Sequence, residues 1–415
     1  MAGAAGAATA RAAPSEAAAA PVALARCASY GAAVLPVLQK MFDQLGGLGR
    51  LVKGKTVAVK LNLTGTPFER HGYLDAGLAH WTHSDVIGAT VHLLGRAGAS
   101  RIRLLESPWK SAEPIEEHML GAGWEPRDLL NAAPRVEFEN TNFLGHGKRY
   151  HRLQAPRGGH VFRAFDLNHS YEECDVFVSI AKLKEHSTTG ITLAMKNCFG
   201  ITPCTIYGDG AGVDEPGILP RGGRGPLHFG NRQPSRSALA ENDSQSPRDG
   251  GYRVPRIVAD LVAARPVHLA IIDGIRTQTK GEGAGTRGSV LVAPGILIAG
   301  TNCVNTDAIG AAVMGFDPIA DRGSAPFERC DSTLRLAEEL GVGSRDPKRI
   351  EVIGARIEDL RFDFRRATEK GSAWYGPFNS GQTGVCGDRP VCPQGTHSPV
   401  PRDTLVCSNK GAIPG

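Results

Sequence analysis

No stretch of this 415-residue sequence reaches the ~18–20 consecutive apolar residues that a membrane-spanning helix requires; the best candidate, VLVAPGILIAG, is broken by Pro294 and Gly295. The N-terminal MAGAAGAATARAAPSEAAAAPVALA lacks the charged start, continuous apolar core and cleavage site of a secretory signal. The chain therefore reads as soluble and cytoplasmic, with residues 1–21 as a disordered alanine-rich leader. A strong charge of one sign is also missing. The formal charge is +5, and the basic residues are interspersed with acidic ones, which gives no footing for a nucleic-acid partner. Nine cysteines, an odd number in a long chain, argue against a disulfide scaffold and for a reducing compartment. Cys386, Cys392 and Cys407 fall in an irregular Gly/Pro/Cys-rich tail, 366–415, with neither a paired C-x-x-C zinc spacing nor a ferredoxin run.

What is present is a globular composition, with 41% hydrophobic and 21% charged residues. VALARCASY reads as a first strand and GAAVLPVLQKMFDQLGGLG as a helix ending at a glycine pair. TVAVKLNL alternates Val57, Val59, Leu61 and Leu63 against Thr56, Ala58, Lys60 and Asn62, so its polar pair falls at the strand's C-terminal end. A helix with Ser84 as N-cap follows, then the strand RIRLLES, ending in Glu106. Residues 109–165 read as a loop-rich excursion with a short helix, after which CDVFVSIAKLK resumes the sheet.

Residues 201–255 form a long Gly/Pro/Arg-rich stretch, either a lid or a disordered insertion. Beyond it come a helix, the strand VHLAIIDGI, a hairpin of SVLVA with ILIAG, and a helix with Asn305 as cap. Alternating strands and helices predict an α/β fold with a mostly parallel, doubly wound-like sheet and an antiparallel hairpin near the C-terminal part. The domain spans 22–365, as one body or as two lobes, 22–200 and 256–365.

The chemistry concentrates in SIAKLKEHSTTGITLAMKNCFG, Ser179–Gly200. In an extended strand Lys182, Lys184 and His186 share a face. A polar turn and a short helix follow, and its free N–H groups beside those side chains would favour an anion. The alternative is a solvated strand end with His186 capping a turn. The sheet tips the balance, because ligands of open parallel sheets bind outside the strands' carboxyl ends, where Lys60, Asn62, Glu106, Lys182, Lys184 and Asp273 all fall. Three cationic groups on one face would repel each other when the site is empty, so replacing Lys182 and Lys184 with alanine is expected to leave stability unchanged or slightly raised.

Single positions keep plainer readings. Asp273 before Gly274 suits a turn, Asp307 suits the first turn of a helix, and His228 suits an ordinary loop. Cys198 and Cys204 read as inert buried thiols.

VKLNL after GKTVA, THSDVIGATVHLLGRAGASRIRLLES, the KLK-x-H…KN segment, IIDGI and GILIAGTNCVNTDAIGAAVMGFDP occur in that order between Val22 and Gly343. Together they resemble the family named domain of unknown function 362, found in bacteria and archaea. The resemblance marks Lys60, Asn62, Lys182, Lys184, His186, Lys196, Asn197, His228, Asp273 and Asp307 as motif positions. It assigns them no reaction. Family members often carry a ferredoxin-like iron–sulfur module, a hint of redox metabolism, but no C-x₂-C-x₂-C-x₃-C run exists here, so that cofactor does not carry over. No dinucleotide fingerprint is present either, since GEGAG opens no helix.

The reading that follows is an enzyme taking a small anionic substrate, carboxylate or phosphate. Lys60, Asn62, Lys182, Lys184, Asn197 and His228 would bind it, His186 or Lys196 would transfer a proton, and Glu106 or Asp273 would be the acidic partner. Two alternatives stay open. One is a metalloprotein with His186 and His228 joined by Asp307, Glu106 or Asp273, against which the neighbouring lysines count. The other is a non-catalytic anion-binding module.

Overall fold

The computed structural model describes residues 19–109, 113–142, 150–220 and 222–370. The leader up to residue 18 and the tail from 371, with Cys386, Cys392 and Cys407, lie outside the described residues.

The chain adopts the α/β fold expected from its strand–helix alternation. Eight strands form the central sheet: β1 Val22–Arg26, β2 Thr56–Lys60, β3 Arg101–Glu106, β4 Val136–Asn140, β5 Val176–Lys182, β6 Leu269–Gly274, β7 Ile296–Gly300 and β8 Val352–Gly354. Their spatial order is β8-β1-β7-β6-β5-β2-β3-β4. Only β7 runs against its neighbours, β1 and β6; the other pairings are parallel.

Alternation within each strand sends apolar residues to both faces. Val57, Val59, Val178, Ile180 and Ile271 pack with the helices Val34–Gln44 and Ser84–Arg96. Ala58, Leu105, Phe177 and Ile272 pack on the other face, with the helices Gly250–Ala264 and Cys303–Val313. The helix Val34–Gln44 presents an apolar stripe, Val34, Leu38, Met41 and Phe42, and ends at Gly46 and Gly47, whose φ values of 93° and 80° suit glycine. Among the described residues no helix is long and apolar enough to cross a membrane.

Several local expectations are corrected. The 109–165 excursion contains the sheet's edge strand β4, whose Glu137 and Glu139 pair with Arg103 of β3 at 2.6 Å each, and an antiparallel pair, Tyr150–Gln154 with Ala164–Asn168. ILIAG does not pair with SVLVA; it enters the central sheet as β7, and the small antiparallel pair near the C-terminal part joins Leu291–Val292 to Thr277–Gln278. His83, not Ser84, caps its helix, its Nδ1 accepting from Asp85 N at 3.1 Å. Asn302, not Asn305, caps Cys303–Val313, while Asn305 holds Ala20 O and Ser344 N.

After β2 the chain steps outward to β3 and β4 and then returns to β5 on the other side of β2. The carboxyl ends of β2 and β5 therefore flank a switch point, where open α/β sheets leave a crevice. From 201–220 and 222–255, Asp209, Arg224, His228 and Phe229 border this end beside Lys60 and Glu106, with Cys204, Ile206, Tyr207 and Leu227 buried.

Candidate functional site

At the end of β2, Lys60 turns toward the face that carries Ala58, and its Nζ lies 2.5 Å from Glu106 Oε1 at the end of β3. Nζ also donates to Leu61 O at 2.6 Å and to Asn197 Oδ1 at 3.2 Å. Asn197 Oδ1 accepts as well from Asn62 Nδ2 at 3.2 Å, and its own amide donates to Ser179 Oγ at 3.0 Å. Glu106 accepts the N–H groups of Leu63 and Ser107, both at 3.0 Å. Gly200 permits this approach, because a Cβ there would stand 3.0 Å from Lys60 Nζ. Burial lowers the Lys60 pKa, and Glu106 works against that.

Lys182 lies on the opposite face of the sheet, with Val178 and Ile180. Its Nζ donates to Asp273 Oδ2 at 2.8 Å, Gly77 O at 2.7 Å and Tyr30 Oη at 2.9 Å, so all its donors are used. Asp273 accepts further from Tyr30 Oη, His83 N and Ile275 N. This pair is closed by protein on every side; Lys182 and Asp273 are each 0% exposed.

Glu282 organises a third group from the Gly-rich loop after β6. Its backbone carbonyl accepts from Lys184 Nζ at 3.0 Å, and its carboxylate lies 2.8 Å from His186 Nε2 and 3.8 Å from Lys196 Nζ. Lys184 also donates to His80 O at 2.7 Å. Thr188 N donates to His186 Nδ1, which leaves the neutral ring's proton on Nε2, toward Glu282. Burial would raise the Glu282 carboxyl, but His186, Lys196 and Lys184 together hold it well below the usual carboxylate range. Burial, helped by Lys182 and Lys196, pushes Lys184 down to about 7. Lys196 is lowered by burial too, with Arg224 and Lys60 adding to it.

The helix Ala194–Asn197, which carries Lys196 and Asn197, does not offer its first N–H groups to an external anion. Asp307, within Cys303–Val313, accepts them from Ala194 and Met195 at 2.9 and 2.8 Å, and burial raises its pKa to about 8. Cys198, donating to Ala194 O, is buried and pushed up to about 12.

A cleft of about 620 Å³ opens beside these groups. Of the residues singled out from the sequence, Lys60, Asn62, Glu106, Lys196, Asn197 and His228 line it; Lys182, Lys184, His186, Asp273 and Asp307 do not. Sequence reasoning missed Arg224 and Glu282, along with the aromatic walls Phe199, Phe229 and Trp109. Arg224 donates to Thr202 O and Ser107 O, at 2.9 Å each, and has no carboxylate partner among the described residues. His228 Nδ1 lies 2.9 Å from Arg224 O, and a carbonyl only accepts, so Nδ1 carries the proton and Nε2 is an acceptor with no partner among the described residues. Burial, with Lys196 adding to it, lowers His228 to about 4, so the ring is neutral. Among the described residues no three His, Cys, Asp or Glu side chains gather as a metal site, and His186, His228 and Asp307 are not brought together as a ligand set.

The model of the family described as domain of unknown function (DUF362) matches residues 57–312, more than half of the chain. The chain belongs to the DUF362 family. The match covers the cleft residues from Lys60 to Glu282. A thylakoid-associated protein of Synechocystis sp. is 29% identical over 187 residues, which is 44% of this chain and 50% of that protein. This DUF362 chain thus spans about half the length of the curated relative it matches. A solved structure of a Thermotoga maritima protein aligns with a TM-score of 0.30 at 14% identity, over 62% of this chain and 54% of that one.

Proposed function

We propose that the cleft binds a small anionic molecule, a carboxylate or phosphate, and that the chain is an enzyme which moves a proton on it. The observation that carries this reading is Lys196. Its ammonium group is only 10% exposed as a side chain, and its nearest carboxylate oxygen, Glu282 Oε2, is 3.8 Å away, beyond hydrogen-bond distance. A lysine desolvated to that extent, with no hydrogen-bonded acceptor among the described residues, is poised for an acceptor from outside. Arg224, with no carboxylate partner among the described residues, adds a second positive charge.

Inside the cleft Lys60, Lys196 and Arg224 face Glu106 and Glu282, with Lys184 behind; the remaining acids of the lining, Glu69 and Asp209, are exposed. The inner field therefore favours a negative ligand. Lys196, its pKa lowered by burial, releases a proton more readily than an exposed lysine, and His228 Nε2 is a second acceptor facing the same space.

Thermal denaturation with inorganic phosphate and with citrate tests the binding. At a hundred times its dissociation constant a ligand raises stability by about 2.7 kcal/mol, and Lys196→Ala removes that gain. A shift of the same size in the variant places the anion elsewhere. Incubating citrate, which unlike phosphate has C–H bonds beside its carboxylates, in D₂O and weighing it by mass spectrometry tests the proton transfer, which requires deuterium gain in the wild type and none in Lys196→Ala.

A further inference from the structure

Resting on the anion-binding reading, we propose that the cleft's ligand is aromatic: a hydroxyaryl carboxylate or phosphate, its anionic group at Lys196 and Arg224, its ring against Phe199 and Phe229, its hydroxyl on His228 Nε2. The volume of the cleft is the first ground. A water takes about 30 Å³ of liquid, and an inorganic oxyanion is only a few waters in size, so it would leave most of a cleft of about 620 Å³ unfilled.

The walls are the second ground. Phe199 and His228 stand edge to face with centroids 5.0 Å apart, and His228 and Phe229 follow at 5.8 Å, tilted by 36°. Lys196 Nζ lies 4.7 Å from the Phe199 centroid, which fixes the positive charge at one end of this aromatic row. Phe229, a cleft residue, is 52% exposed, so a large apolar ring face lacks cover where a ligand ring would supply it.

The polar group between them is the third ground. His228 cannot donate from Nδ1 to a ligand because Arg224 O takes that proton, so its remaining nitrogen calls for a donor. A phenolic hydroxyl supplies one beside a ring, whereas the carboxylate end of the ligand does not. The charged, apolar and accepting features of the cleft thus match three parts of one molecule.

Isothermal titration of the full chain with phosphate, acetate, cyclohexanecarboxylate, benzoate and 4-hydroxybenzoate tests the class. The expected order puts 4-hydroxybenzoate first, benzoate next, and the saturated and compact anions at least several-fold weaker. Phe229→Ala should weaken 4-hydroxybenzoate by roughly 3- to 10-fold more than it weakens phosphate, the range of one aromatic contact. His228→Asn should bring benzoate and 4-hydroxybenzoate to the same affinity. Phosphate or acetate binding as tightly as the aryl acids overturns the aromatic class and leaves the anion site standing. Aryl acids bound equally well by Lys196→Ala overturn the anionic anchor, and with it this placement of the ring. Binding of none of the five overturns both.

Discussion

Lys182 Nζ and Asp273 Oδ2 are 2.8 Å apart, on strands where these two residues are direct register partners, and both side chains are 0% exposed. The pair is a buried tie between β5 and β6. A charge left alone in such a place costs far more than the pair contributes. Lys182→Ala should therefore destabilise the chain by about 3–5 kcal/mol, and Lys182→Met combined with Asp273→Leu should recover most of the loss. Urea denaturation of the single and double variants checks this. This expected loss is opposite in sign to the sequence-based expectation for replacing Lys182 and Lys184 together, which took strand-end lysines to repel each other across an empty site. A single variant as stable as wild type would remove the pair from the ties that hold the sheet.

Asp307 holds the start of the helix that carries Lys196. Asp307→Ala leaves two buried N–H groups without acceptors, at about 1–3 kcal/mol each, so a loss of about 2–6 kcal/mol is expected. Asp307→Asn keeps one oxygen for one of them and should lose less. Chemical denaturation gives the comparison, and equal losses for both variants would show that packing around Asp307, and not its hydrogen bonds, matters.

The Glu282 carboxylate is shared by His186 and Lys196 while its backbone carbonyl holds Lys184, and the residue sits between two trypsin sites, Lys280 and Arg287. Glu282→Gln removes the attraction that draws the loop to these cations. Trypsin should cut the variant after Lys280 or Arg287 faster than the wild type. Unchanged cutting would mean that Gln278, which donates to Gly281 O at 3.0 Å and Gly283 O at 2.7 Å, holds the loop by itself.

The ends of β2, β3, β5 and β6 were legible because each is an apolar run that closes on an ionisable residue: Lys60, Glu106, Lys182 and Asp273. The face each one takes was not. Lys60 and Lys182 look equivalent in sequence, yet Lys60 is the register partner of Ser179, three residues before Lys182, so the two lysines emerge on opposite faces. Register is a long-range property of packing. Glu282 was missed for a related reason: a lone glutamate in a glycine-rich loop acquires meaning only when folding brings it to Lys184, 98 residues away. The strand β4 was passed over because an edge strand needs one apolar face, and Val136 and Phe138 alternating with Glu137 and Glu139 make a weak signal.

Lys184 gives the chain a pH dependence with a definite sign. Burial is the main cause of its low pKa, about 7 in the folded chain against an ordinary 10.5. Below about pH 7 the folded chain must keep a buried ammonium group, whose lost hydration is only partly replaced by the carbonyls of His80 and Glu282. Between about 7 and 10.5 the unfolded chain still binds the proton while the folded chain has released it. Stability rises with pH wherever the unfolded state binds more protons, so this residue contributes a rise across that window, at most about 1.4 kcal/mol per pH unit. Lys184→Met has no proton to release and lacks the contribution. The stability of wild type minus that of Lys184→Met, from urea titrations at pH 6.5, 7.5, 8.5 and 9.5, should therefore climb with pH, from its lowest value at the acid end. A difference that stays flat would mean that Lys184 keeps its proton in the folded chain, with its three oxygen acceptors and Glu282 offsetting the cost of burial.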